Sequence, residues 1–285
     1  MPAPLLAVDA PSIMYRAFFA LPSSIRGADG RPVNALLGTA NLVLGAIDAY
    51  APRATVLCWG AEAAAYRVAR FPAYHADRPP MPDELVAQWA AAPELFAAFG
   101  WASLDGGDLE ADDVLGALAR AEADAGGASL LFTGDRDMFQ CADAATRVLF
   151  PSAGGPELID AGGVRERYGI DPAQVPDLIA LRGDPSDGLP GAKGIGAKGA
   201  ADLLGRFGDL EGAIAAAATA TAQMTPRQRA ALRDDADLLR AFREIATLQP
   251  VTVARPADAP LDAVGGGAAA QAHGMGRLAE RLRSR

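Results

Sequence analysis

Short runs of apolar residues recur along the first half of the chain, and two of the four run into an acidic position. Leu5-Leu6-Ala7-Val8 ends at Asp9, and Ser129-Leu130-Leu131-Phe132-Thr133 ends at Gly134-Asp135. Thr55-Val56-Leu57-Cys58-Trp59 runs into Gly60, and Arg147-Val148-Leu149-Phe150 is a fourth run. Uninterrupted apolar runs of this length read as strands buried on both faces. Helix-like stretches lie between them, over residues 33–50, 83–99 and 110–125. Strands alternating with helices predict an α/β domain around a central, mostly parallel sheet. Such sheets bind ligands at the carboxyl ends of their strands, where Asp9 and Asp135 stand.

From about residue 171 the pattern becomes helical. Residues 175–181 read as helix, a Gly-rich turn follows, and 200–207 begins another helix. Residues 211–222 are Ala-rich and low in complexity, and 227–248 is amphipathic. Residues 253–270, rich in Ala, Pro and Gly, are expected to form a loose linker. Residues 274–285 hold four arginines against one glutamate and read as a solvated, frayed end. The expected division is an α/β domain over 1–170, a helical module over 171–262 and a basic C-terminal tail over 263–285.

The chain has 285 residues, 51% of them apolar, which is ample for a buried core. No segment approaches the roughly 18 apolar residues of a membrane span. No basic region precedes an apolar stretch at the N-terminus, so no secretory signal is expected. Cys58 and Cys141 fit neither a metal-ligand spacing nor a disulfide framework. These features predict a cytoplasmic monomer without a membrane partner. The net charge of −9 is at odds with nucleic-acid binding, but the excess is local. Residues 1–170 hold 12 basic and 21 acidic side chains, whereas 171–285 hold 14 of each.

Both lysines of the chain, Lys193 and Lys198, lie in Leu189-Pro190-Gly191-Ala192-Lys193-Gly194-Ile195-Gly196-Ala197-Lys198-Gly199. A Gly-Ile-Gly turn at a helix start offers backbone N–H groups, and flanking ammonium groups add charge. That combination suits a phosphate. Eight carboxylates fall in four segments: Asp9; Glu110, Asp112 and Asp113; Asp135 and Asp137; Asp184 and Asp187. Alone, each has an ordinary reading, such as helix capping for 110–113 or a loop for 135–137. Together they suit hard divalent cations such as Mg²⁺ or Mn²⁺, which take oxygen ligands. Two such ions about 4 Å apart activate water and stabilise a leaving oxygen in phosphodiester hydrolysis.

With these motifs in order, the sequence resembles the 5′-nuclease domain of bacterial DNA polymerase I and the free-standing flap endonucleases. The resemblance runs from about Leu5 to Leu248. It is carried by Val8-Asp9 through Tyr15-Arg16-Ala17, Asp29-Gly30-Arg31-Pro32 and Tyr74-His75-Ala76-Asp77-Arg78-Pro79-Pro80-Met81-Pro82. It continues through Glu110-Ala111-Asp112-Asp113, Thr133-Gly134-Asp135-Arg136-Asp137 and Gly183-Asp184 to Lys198. The resemblance implies a PIN-like α/β nuclease domain with a helix–three-turn–helix DNA-binding module, here as a stand-alone paralogue. Asp9, Glu110, Asp112 and Asp113 would hold one ion, and Asp135, Asp137, Asp184 and Asp187 would hold or orient a second. Arg78 with His75 would face the scissile phosphate, and Arg16 and Arg67 would steer the 5′ end. Lys193, Gly194, Ile195, Gly196 and Lys198 would grip duplex phosphates, with K⁺ at the Gly194-Ile195-Gly196 turn. The implied partner is DNA with duplex and 5′ single-stranded or flap character, with an RNA–DNA hybrid as a secondary substrate.

Four departures from the family pattern stand out. Gly60 takes the place of a metal-ligand aspartate, with Glu62 two residues on as a partial substitute or a solvated side chain. His75 replaces a lysine. No lysine or arginine occurs between Pro79 and Ala119, where the family builds an arch over the single strand, which predicts a reduced clamp. Gly188 replaces an asparagine. The leading expectation is a metal-dependent 5′ nuclease. The competing ones are a junction-binding protein with little catalysis and a PIN-type ribonuclease. Trp59, Trp89 and Trp101 read as core, and Phe18 and Phe19 as packing, with stacking on a base as the alternative.

Overall fold

The computed structural model describes residues 3–152, 154–219 and 223–285. The last three residues of the Ala-rich stretch, 220–222, therefore lie outside the described residues. In the first half the chain runs β1 (Leu5–Asp9), α1 (Ala10–Ala20), α2 (Asn34–Tyr50), β2 (Ala54–Trp59), α3 (Ala65–Arg70), α4 (Asp83–Ala97) and β3 (Ala102–Asp105). It continues through α5 (Ala111–Asp124), β4 (Ser129–Phe132), β5 (Thr146–Phe150), β6 (Glu157–Ile159) and α6 (Ala161–Tyr168). The six strands form one sheet in the order β3-β2-β1-β4-β5-β6. All neighbours are parallel except β6, which pairs antiparallel with β5. The expected α/β class and parallel sheet are therefore present, and β3 and β6 extend it at its edges.

Strand order reverses at β1, which is flanked by β2 on one side and β4 on the other. That arrangement opens a crevice at the carboxyl ends of β1 and β4. Val8 sits opposite both Leu57 and Phe132, so Asp9 and Thr133 leave the sheet side by side. Successive residues of β1 point to opposite faces. Leu6 and Val8 pack with Ile13, Met14, Leu44 and Phe96 on one face. Leu5 and Ala7 pack with Leu115, Leu118 and Ile179 on the other.

The second half is α7 (Val175–Arg182), α8 (Ala197–Phe207), α9 (Leu210–Ala217), α10 (Pro226–Asp234) and α11 (Ala236–Ala246). The amphipathic stretch 227–248 is broken in two at Asp235. Leu203, Leu204, Leu239 and Phe242 belong to the same apolar cluster as the α5 face of the sheet, so one core runs through both halves.

Two expectations fail at the C-terminus. Residues 250–262 run as an extended strap rather than a loose linker. Ala259 N–H donates to the Arg53 carbonyl at 2.9 Å and Asp262 N–H to the Phe99 carbonyl at 2.9 Å. Arg255 and Arg53 close on the buried carboxylate of Glu122, and Arg53 also reaches Asp258. The tail is a helix pair, α12 (Ala263–Ala272) and α13 (Gly276–Arg283). It is seated beside Phe99 and Trp101 through Ala270, Met275, Leu278 and Leu282. Its arginines read as solvent-facing because their apolar neighbours are few. Yet Arg281 and Arg285 bind Asp48 of α2. Leu278→Ala should lower unfolding free energy by about 2–4 kcal/mol in urea titration, the cost of a buried leucine. A frayed tail would give a change within about 0.5 kcal/mol.

Candidate active site

A cleft of about 550 Å³ opens at the carboxyl ends of β1 and β4. Asp9, Glu110, Asp112, Asp135, Asp137, Asp184 and Asp187 all line it, as do His75 and Arg78. Asp9 closes β1 and caps α1, accepting from Ser12 N–H at 3.0 Å and from the Thr133 hydroxyl at 2.7 Å. The same Thr133 hydroxyl accepts from Asp135 N–H at 3.0 Å, which fixes the turn after β4. One oxygen each from Asp9, Asp112 and Asp135 lies within 4.8 Å of the others.

These carboxylates are held close and poorly satisfied. Oδ1 of Asp112 and Oδ1 of Asp137 are buried without a hydrogen-bond donor. Burial, with Asp135 close by, pushes the Asp9 carboxyl well above its ordinary range. Burial with Asp137 and Asp9 does the same to Asp112, and burial with Asp135 and Asp187 to Asp137. Asp135 is exposed at the cleft, yet loss of solvent around its carboxyl, and then Asp187, raise it, against the hydrogen bond with Asp9. Buried carboxylate oxygens that repel one another and lack donors fit a divalent cation, which satisfies them and reverses the local field.

Two residues expected here serve elsewhere. Asp113 does not line the cleft. It is fully buried, and both its oxygens meet the Arg67 guanidinium, at 3.0 and 3.2 Å. It also accepts from Gln249 N–H at 2.8 Å and caps α5 with Glu110. Its spacing from Glu110 places it on the same helical face, but the capping box and Arg67 consume it, so it is not available as a metal ligand. Arg67 is 2% exposed, so its guanidinium is turned into the fold rather than out to solvent. Its guanidinium spans Asp113 and Glu110, at 2.9 Å from the latter, while its Nε donates to the Ile245 carbonyl of α11 at 3.0 Å. Burial opposes its charge, and Glu110 and Asp113 more than restore it. Glu110 also accepts from Ala64 N–H at 2.8 Å and the Tyr74 hydroxyl at 2.9 Å.

The basic side of the cleft is tied to the second acidic pair. His75 stacks on Tyr74 with ring centroids 3.8 Å apart and adopts a φ of 55°. Its Nδ1 meets the Glu62 carbonyl at 2.7 Å and its Nε2 meets Asp187 at 3.1 Å. A carbonyl only accepts, so Nδ1 carries its hydrogen and Nε2 faces Asp187. Arg78 donates to the same carboxylate at 3.3 Å. Asp184 is held by Ser186, through its N–H at 3.0 Å and through its hydroxyl. Gly188, with φ 73°, lets this loop approach His75, because a Cβ there would stand 2.9 Å from the Ala73 carbonyl.

At Gly60 a Cβ would stand 2.3 Å from the Leu109 carbonyl and 2.7 Å from Ala111 N. The backbone that carries Glu110 leaves no room for a side chain at residue 60. Glu62 lines the cleft and is exposed. Arg16 is exposed on α1, outside the cleft lining. Lys193, Gly194, Gly196 and Lys198 form a separate exposed surface at the start of α8, with Ile195 buried beneath.

The opposite wall of the cleft is apolar, formed by Tyr15, Phe19, Trp89 and Pro79 to Pro82. Trp59 and Trp101 are core as expected, but Trp89 is half-buried, with Tyr15 and Trp59 against it edge-on. Phe19 is 72% exposed, packs against the rings of Phe18 and Tyr15, and opens to the cleft. The sequence signals this only as three aromatics at helical spacing before the first loop. Ser12 and Arg136 also line the cleft unannounced by the pattern.

Residues 4–169 match the 5′-3′ exonuclease N-terminal resolvase-like domain, and residues 170–261 match the 5′-3′ exonuclease C-terminal SAM fold. A 5′-3′ exonuclease of Streptomyces coelicolor is 37% identical over 276 residues, covering 91% of this chain and 88% of that protein. DNA polymerase I of Mycobacterium tuberculosis is 35% identical over 213 residues, 74% of this chain and 24% of that protein. The T5 5′-exonuclease structure with bound zinc superposes with a TM-score of 0.71 at 16% identity, covering 98% of this chain and 97% of the other. The Rad2 catalytic core in complex with DNA substrate gives 0.64 at 17% identity, covering 99% and 90%. At those identities the structural likeness speaks to fold, while the two domain matches and the sequence relatives place this chain in the 5′-3′ exonuclease family.

Proposed function

We propose that this protein hydrolyses DNA phosphodiesters near 5′ ends and duplex junctions, as a 5′-3′ exonuclease and flap endonuclease. The observation that carries the reading is the gathering of eight carboxylates around one cleft, two of them with buried oxygens that have no donor. Asp9, Asp112 and Asp135 would hold one Mg²⁺ or Mn²⁺, with Glu110 behind them. Asp137, Asp184 and Asp187 would hold or orient a second. The ions would activate water and neutralise the leaving oxygen. Arg78 presents its guanidinium at the cleft, and Asp187 holds both Arg78 and His75 toward the phosphate. Lys193, Lys198 and the N–H groups of the Gly-rich turn bind duplex backbone at a distance from the cut, which reads shape rather than sequence. K⁺ at the Gly194-Ile195-Gly196 turn belongs to the same proposal. Arg16 would guide the 5′ strand. An RNA–DNA hybrid as a secondary substrate, a monomeric state and a cytoplasmic location belong to the same proposal. Among the described residues no helix is long and apolar enough to cross a membrane.

The segment from Pro79 to Ala97 carries no basic residue and is seated on α2 through Gln88, whose side chain accepts from Ala35 N–H at 2.8 Å. An arch without cations holds a phosphate backbone weakly. Short flaps and recessed ends should therefore be cut faster than long single-stranded flaps. No observation favours a junction binder without catalysis.

A 5′-labelled flap substrate should be cut near its junction with Mg²⁺ or Mn²⁺, and Asp135→Ala/Asp137→Ala should lower the rate about 10³-fold or more. Wild-type protein that binds the junction and cuts nothing would sink the reading. Raised carboxyl pKa values stabilise the ion-free fold fully below the ordinary carboxylate range, and that stability is lost as pH rises through them. Divalent ions favour the ionised form. The gain in melting temperature from Mn²⁺ over EDTA should thus be greater at pH 8 than at pH 5, by about 4 °C. Equal gains at both values would contradict this. Gly60→Asp should not raise activity and should cost about 2 kcal/mol or more by overpacking against residues 109–111. Denaturant unfolding and flap cleavage of that variant check both halves.

A further inference from the structure

The Lys193–Lys198 turn has a neighbour on another helix that no motif announces. Arg227, the second residue of α10, lays its guanidinium against Gly194. A Cβ on that glycine would stand 2.1 Å from Arg227 Nε and 2.5 Å from its Cζ. Gly194 also has a φ of 82°, so the backbone itself favours glycine there, while the exposed Arg227 side chain is free to move aside. Gln228 lies 3.7 Å from the Cβ position of Gly199 on α8, so the first turns of α8 and α10 lie side by side.

Charge at these two helix starts runs against the usual preference. The N-terminal end of a helix favours carboxylates. In the same half of the chain, α9 and α11 follow that rule with Glu211 and Asp237. Neither α8 nor α10 has an acid in its first turn, and each places a cation second, Lys198 and Arg227. Arg206, Arg233, Arg240, Arg243 and Arg255 each pair with a carboxylate. Among the described residues Lys193, Lys198 and Arg227 have no such partner, and all three are exposed. Three exposed cations without carboxylate partners, at two positive helix ends, make this surface attractive to an anion from outside. A guanidinium adds forked donors to the point charges of two lysines.

We infer that Arg227 is a third phosphate-contacting residue of this turn, reaching the same duplex backbone from α10. The inference rests on the turn being the duplex grip. Its test is the binding of a labelled blunt duplex to the full chain in EDTA, followed by fluorescence anisotropy between 50 and 200 mM salt. Each lost phosphate contact lowers the slope of log affinity against log salt by about 0.9. For Arg227→Gln the wild-type advantage should therefore shrink about 3.5-fold across that range, equally for unrelated sequences. Arg227→Lys should restore the slope, which separates charge from folding. A slope within about 0.3 of wild type for Arg227→Gln, with a flattened slope for Lys193→Gln/Lys198→Gln, would overturn the role of Arg227 alone. Unchanged slopes for both variants would overturn the duplex grip itself.

Discussion

One buried guanidinium ties the nuclease cleft to the rest of the molecule. Arg67 joins Glu110 and Asp113 at the start of α5 to the Ile245 carbonyl at the end of α11. Gln249 N–H completes the link by donating to Asp113. A charge taken this far from water is tolerated only because it is fully paired. Removing one partner from such a group costs about 3–5 kcal/mol. The arrangement fixes the helix start that carries Glu110 and Asp112, and it fixes the helical half against the α/β half. The Gly-rich turn and the cleft therefore keep one relative position, which the proposed division between duplex grip and cut requires.

The cleft itself is built against its own stability. Asp9, Asp112 and Asp135 converge from the ends of two neighbouring strands and one helix start. The parallel register places them there, and the hydroxyl of Thr133 holds two of them. Strain of this kind persists where the surrounding fold over-determines it, and it concentrates at functional sites. Here the over-determination comes from strands whose residues are wholly buried and from Arg67 beneath.

Much of this was legible in the sequence, for identifiable reasons. Strands buried on both faces are continuous apolar runs, and two of them end in the acids that matter, so β1, β4 and their carboxylates are conspicuous. β3 and β6 were missed because one is largely exposed and the other is three residues long. Residues 263–285 were misread because Val264-Gly265-Gly266-Gly267 has the composition of a linker. In the fold Gly266 sits where a Cβ would come within 2.9 Å of the Phe99 ring, so small residues permit close packing. Arg67 and Asp113 were misassigned because spacing and charge do not distinguish an arginine that faces a phosphate from one buried against a carboxylate. Gly60 stands out in the sequence as a departure, but only the backbone of 109–111 shows that no side chain fits there.

The most direct test of the account is Mn²⁺ uptake, followed by loss of the free ion's electron paramagnetic resonance signal, in wild type and in Asp112→Asn. The account predicts that the wild type takes up Mn²⁺ and that the variant, still folded, binds it at least about tenfold more weakly, as expected when a ligand is lost. Equal uptake by both proteins, or none by a folded wild type that binds duplex DNA, would contradict it.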